Sequence, residues 1–165
     1  MKNNPVLIDI AKKLNVDKNL LWSLIQFESS WKPDAKNPVS SARGLIQFVD
    51  STAKNLGYLN SLDLVTKLPT IELQLKYAVY PYLKQYYPFP TPQSLFMAVF
   101  YPAAMFWPEN RQFPANVQKN NPGIKTPLDY IRFVYKKLSL RYMSNSIYLG
   151  IGVTILYILS KKGKK

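Results

Sequence analysis

Apolar residues recur at helical spacing in several stretches of the chain. In Asp17-Lys18-Asn19-Leu20-Leu21-Trp22-Ser23-Leu24-Ile25-Gln26-Phe27-Glu28, the pairs Leu20/Leu21 and Leu24/Ile25 fall one turn apart, which marks one face of an amphipathic helix. The next step along that stripe lands on Glu28. A carboxylate facing a core is costly unless it is paired or hydrogen-bonded, and desolvation favours its protonated form. The spacing leaves two outcomes open: an acid held in an apolar pocket, or a helix end turned to solvent, since Ser29 and Ser30 follow.

The same patterning predicts a helix over Pro5–Leu14, with Asn4 as its cap and Pro5 in its first turn. A second helix is expected from about Asp17 to Ser30, followed by a loop rich in turn formers from Trp31 to Gly44. Asp50-Ser51-Thr52 opens a short helix ending near Gly57, and a longer one covers roughly Ile71–Tyr87 with a kink at Pro81. Nine of the thirteen prolines lie between Pro81 and Pro127, so that stretch should be short helices joined by aromatic loops. Pro127 begins a helix through Lys137. Few segments alternate with period two and none reads as a central strand, so an all-α, mainly helical fold is expected, with one domain over residues 1–138.

The tail is different. From Tyr142 to Ser160 nineteen consecutive residues carry no charge, and at about 1.5 Å per residue such a helix would reach roughly 28 Å, close to a hydrocarbon core. Tyr142, Tyr148 and Tyr157 suit the interfaces, and basic residues flank both ends. Residues 139–165 are therefore expected to be a C-terminal transmembrane helix with a basic tail, making lipid a partner through 142–160. The opening Met1–Asp9 meets an acid before any long apolar run, so no secretory signal is expected there. That combination points to a protein attached by its tail, with no ordinary leader for export.

Composition narrows the chemistry. The chain is 47% hydrophobic and 14% aromatic, too apolar for a disordered polymer. It has neither Cys nor His, which removes thiolate chemistry, Ser-His triads and His-based zinc sites. Acid–base work then falls to a carboxylate, a tyrosine or a lysine. Only three glutamates exist, Glu28, Glu72 and Glu109. The net charge of +13 suggests a polyanionic neighbour. Eight positive charges fall in the last 34 residues, with no acid after Asp129. This clustering reads as membrane contact ahead of nucleic acid, which is not expected as a partner.

Phe27-Glu28-Ser29-Ser30, then Ser41-Ala42-Arg43-Gly44-Leu45-Ile46-Gln47-Phe48 and Thr52-Ala53, resemble the soluble lytic transglycosylase family, which shares a goose-type lysozyme-like fold within the α+β lysozyme superfamily. The joint match runs from about Leu20 to Leu56. Glu72–Ala78 resembles the family's glutamine-containing helix behind the cleft, and Ala98–Ala103 its Ala-x-x-Tyr-Asn-Ala block, with Pro102 in place of asparagine. The resemblance implies cleavage of peptidoglycan between N-acetylmuramic acid and N-acetylglucosamine by one glutamate, Glu28, acting as acid and then base, with a 1,6-anhydro product. It implies Gln47, Tyr101, Ser40, Ser41 and Gln74 as substrate-binding residues, Tyr101 facing Glu28, and neither metal nor cofactor. Trp31, Phe48, Phe106 and Trp107 are candidates for stacking on sugar rings. A lytic enzyme with a membrane tail and no export signal is expected in a bacteriophage virion or the bacterial cell envelope, with virion proteins as further partners; the alternatives are a non-catalytic, membrane-tethered wall-binding or virion protein, and goose-type hydrolysis.

Overall fold

The computed structural model describes residues 1–143. Asn4 ends an extended segment and its side-chain oxygen accepts hydrogen bonds from the Val6 and Leu7 amides at 2.9 and 3.2 Å, which starts α1 (Pro5–Lys13). Leu7, Ile10 and Ala11 form its buried stripe. Asp17 caps α2 (Lys18–Ser29) in the same way, accepting from Asn19 and Leu20 at 2.7 and 3.1 Å. Helix α2 buries Leu21, Leu24 and Ile25 and is the central element, packed against α1 on one side. It stops abruptly because Ser30 and Trp31 are both left-handed, at φ 56° and 64°. Non-glycine residues occupy that region only where the surroundings over-determine it. Here the turn returns Trp31 onto Trp22, their rings 6.3 Å apart.

The loop after Trp31 is held by backbone pairing. Asn37 donates to the Ala42 carbonyl and Gly44 to the Ala35 carbonyl, both at 2.9 Å, and Arg43 and Phe48 exchange bonds at 3.0 and 2.8 Å. Gly44 sits at φ 78°, and a Cβ there would lie 2.7 Å from Gln74 Oε1 and 3.2 Å from Val65 Cγ1. Only glycine meets both demands. Beyond it come α3 (Asp50–Asn55) and α4 (Ser61–Lys67), the latter unforeseen in the sequence. Asp50 ties the two together by accepting from the Ser61 amide and hydroxyl at 2.9 and 2.8 Å.

The expected helix over Ile71–Tyr87 is built in three pieces: α5 (Ile71–Gln74), a π-helical turn (Leu75–Val79) and α6 (Tyr80–Lys84). Pro81 stands in the first turn of α6. A proline ring collides with the carbonyl four residues back, and the widened turn ahead of it relieves that collision, so a π turn takes the place of the anticipated kink.

Thr91 and Ser94 cap each other to open α7 (Pro92–Phe100), which buries Leu95, Phe96, Met97 and Ala98. A 3₁₀ turn (Pro102–Ala104), α8 (Ala115–Asn120) and α9 (Pro127–Met143) follow. Helices α7 and α9 pack on each other and on α2, closing the core around it.

Among the described residues there is no strand, only isolated bridges pairing Arg43 with Lys36 and with Phe48, so the fold is all-α. None of their helices is long and apolar enough to cross a membrane. The stretch expected to span one, 142–160, lies outside the described residues except for its first two positions.

Replacing Gly44 with alanine should cost about 2 kcal/mol or more, since it adds left-handed strain to a clash with a buried amide. Urea denaturation of Gly44→Ala against the native protein measures it, and a midpoint unchanged within error would contradict the account.

Candidate active site

The stripe on α2 does lead to a desolvated acid. Part of the Glu28 residue meets solvent, yet burial of its carboxyl raises the pKa from 4.5 to about 8, against a smaller downward pull from a hydrogen bond with the Tyr130 hydroxyl. Its apolar surroundings therefore keep Glu28 mostly protonated at neutral pH. No second carboxylate contributes to that shift.

Tyr130 comes from the first turns of α9, on the face it shares with Val134 and Leu138. Its ring lies flat on Phe100 at 4.0 Å and takes Phe27 edge-on at 6.1 Å. Burial and the neighbouring Glu28 both raise the pKa of its hydroxyl well above the usual tyrosine value, so it remains a proton-bearing donor. Packing thus fixes both partners of the pair: Glu28 from the end of α2, Tyr130 from α9, steadied by Phe100 at the end of α7.

Tyr82 on α6 also feels the charge of Glu28. Its hydroxyl donates to the Ala98 carbonyl at 2.7 Å, and burial first, then Tyr86, push its pKa well up. It shares with Gln47, Thr52 and Val99 the lining of a small cavity of about 70 Å³, room for roughly two water molecules. Gln47 sits there at φ 56° with its amide nitrogen donating to the Gly44 carbonyl at 3.1 Å. The tight Gly44–Phe48 loop therefore presents Gln47 beside Tyr82.

The other residues singled out in the sequence have different places. Gln74 is wholly buried. It accepts from Leu45 at 2.9 Å and donates to the Pro33 and Leu68 carbonyls at 2.6 and 2.9 Å. Its amide is committed inside the protein, away from any substrate, and pins the Gly44–Leu45 turn to the loop after α2 instead. Tyr101 ends α7 and packs edge-on against Trp107 and Phe113, at 5.8 and 5.6 Å, and the tyrosine hydrogen-bonded to Glu28 is Tyr130. Ser40 and Ser41 are exposed and serve turns: Ser40 accepts from the Ala42 amide, and Ser41 from the Asp50 amide at the start of α3, each at 3.2 Å. Trp31 and Phe48, 5% and 2% exposed, belong to the core and offer no ring to a sugar. Phe106, 67% exposed, does.

Sequence spacing missed Tyr130 because its partner lies a hundred positions earlier. The only local signal is the period of Tyr130, Val134 and Leu138, which marks a buried face without saying what it meets. Among the described residues no group of three or more Asp or Glu side chains stands together as a metal site.

A family model described as "Transglycosylase SLT domain" matches residues 5–99. No curated protein matches the chain. The matched stretch includes Glu28, Gln47, Gln74 and Tyr82 and stops short of Tyr130.

The raised pKa of Glu28 carries a signed consequence for stability. Between about pH 4.5 and 8 the unfolded chain gives up the Glu28 proton while the folded protein keeps it, so native stability falls as pH rises through that window. Glu28→Gln removes this loss. The variant should gain on the native protein by an amount growing to the order of a few kcal/mol by pH 8, read from denaturation midpoints at pH 4.5, 6 and 8. A stability difference independent of pH would sink the assignment of a desolvated Glu28.

Proposed function

The chain belongs to the transglycosylase SLT domain family, and from that premise we propose that it is a peptidoglycan lytic transglycosylase with Glu28 as its only acid–base group. The observation that carries the reading is a carboxyl group desolvated to a pKa of about 8 at the end of α2, with a tyrosine hydroxyl on it. Protonated Glu28 donates to the oxygen linking N-acetylmuramic acid to N-acetylglucosamine as the C1–O bond breaks. The resulting carboxylate then takes the proton of the muramyl C6 hydroxyl, whose oxygen closes on C1 to give the 1,6-anhydro ring. The proton count closes, with Glu28 protonated again at the end.

Tyr130 serves both halves. Its hydrogen bond stabilises the carboxylate formed in the first step, offsetting part of the desolvation that makes the acid weak enough to hold its proton beforehand. The acetamido group of the muramyl ring can support positive character at C1, so a partner carboxylate at the separation of a two-acid glycosidase is not needed. The cavity bordered by Gln47, Thr52 and Tyr82 suits a small polar substituent such as an acetamido group. The uncharged run 142–160 between basic clusters supports attachment of this domain to a membrane.

Digestion of purified peptidoglycan followed by mass analysis tests the reading. The native protein should release anhydro-muropeptides, one water lighter than hydrolysed ones, and Glu28→Gln should lower the rate by about a thousandfold. Products carrying the extra water would assign goose-type hydrolysis to the same site. A Glu28→Gln protein that lyses walls like the native one would leave only a binding role.

Rate against pH provides a second check. Activity needs protonated Glu28, so it should fall as pH rises through about 8. Tyr130→Phe removes the bond that lowers the Glu28 pKa, so the alkaline limb should move to higher pH while the maximal rate drops. A limb that stays put, or moves down, argues against the pairing.

A further inference from the structure

Past residue 99, where the family match ends, the chain builds a surface that the acid–base site does not use. We propose that Arg111, set on the face of Trp107, is a recognition site for the carboxylates of the peptide stems carried by peptidoglycan, a proposal that rests on the peptidoglycan reading above.

The guanidinium carbon of Arg111 stands 3.9 Å from the Trp107 ring centre. Stacking fixes the plane of the fork and leaves its N–H edges free to meet a planar anion. The platform is itself held: Gln93 donates to the Trp107 carbonyl at 3.1 Å, Arg111 donates its backbone amide to Pro108 at 3.0 Å, and buried Phe113 packs 6.2 Å from Trp107. Lys13–Asp9 and Lys67–Asp63 form ion pairs, and among the described residues Arg111 forms none with Glu109. An exposed Phe106 adjoins the platform. A positive fork pre-oriented on an aromatic ring, with an apolar edge beside it, fits a peptide carboxylate better than a neutral sugar hydroxyl.

Its position agrees with that substrate. From Trp107 the rings of Phe113, Phe100 and Tyr130 follow at 6.2, 5.7 and 4.0 Å, and Tyr130 holds Glu28. Those three steps keep the platform within a few sugar widths of Tyr130. Stems leave the glycan from the muramyl rings, so a stem near the cleavage point passes at about this range.

The test compares two substrates: intact peptidoglycan, and glycan strands stripped of stems by an amidase. Arg111→Met keeps an unbranched side chain at the position and loses the guanidinium and its charge; Lys12→Ala on α1 controls for net charge. On stem-bearing material Arg111→Met should raise KM about fivefold to tenfold with kcat unchanged, and Lys12→Ala should not. On stripped glycan Arg111→Met and the native protein should be equal. An equal loss on both substrates, or no loss on either, overturns the proposal. If the native protein cleaves neither, the enzymatic reading fails by itself. Co-sedimentation of native and Arg111→Met protein with the two materials then decides the stem site, weaker binding by the variant to stem-bearing walls alone supporting it and equal binding overturning it.

Discussion

Keeping one carboxyl group out of water is the constraint around which this fold is arranged. Glu28 continues an apolar stripe, and the helix that carries it ends two residues later in a pair of left-handed residues. Had α2 run on, Ser30 and Trp31 would have continued the helix and Trp31 would not fold back onto Trp22. Stopping there brings Trp31 back into the core and leaves the acid at the rim, covered by α7 and α9 and still reachable from outside. The aromatic packing of Phe27, Phe100 and Tyr130 does two jobs at once: it excludes water from the carboxyl and aims a hydroxyl at it. Desolvation and hydrogen bonding act on the acid in opposite directions, and desolvation is the larger.

A second buried group sets the geometry on the other side. The Gln74 amide links the loop after α2, the Gly44–Leu45 turn and the segment before α5 through three hydrogen bonds. Breaking such a set leaves buried polar groups without partners, which is costlier than the bonds are individually worth. Gly44 is required by the same contact, since the amide oxygen occupies the space a side chain would need. Position and conformation of Gln47 follow from this clamp, so a residue with no access to the small cavity governs one that lines it.

What the residue pattern revealed was mostly local. Asn4 with Pro5 announces its helix by capping chemistry that works within four residues, and α1 begins where that chemistry places it; α2 begins at Lys18, one residue past the expected start near Asp17. The misplaced Glu28 was legible because helical period is a short-range property. Gln74 was visible as a residue of interest, but its role was not, because an amide facing three backbone groups from distant segments leaves no trace in spacing. Helix α4 lacked a long apolar period and was overlooked; it is held to α3 by Asp50 and Ser61, a pairing across eleven positions. Tyr101 drew attention through its neighbours in sequence, whereas the hydroxyl on Glu28 comes from α9, which only the packing of α2, α7 and α9 brings near.

The reliance on Tyr130 has a consequence for how the molecule can be divided. Glu28 and the hydroxyl of Tyr130 that is hydrogen-bonded to it sit on opposite sides of the loop between α8 and α9. A nick in that loop would separate a piece holding the acid from a piece holding its hydroxyl, and neither fragment would own the working pair. Its parts would have to reassociate through the α2–α9 and α7–α9 contacts before the carboxyl regained its environment. The site is thus a property of a docking event inside one chain, and anything that pulls on α9 pulls on the acidity of Glu28.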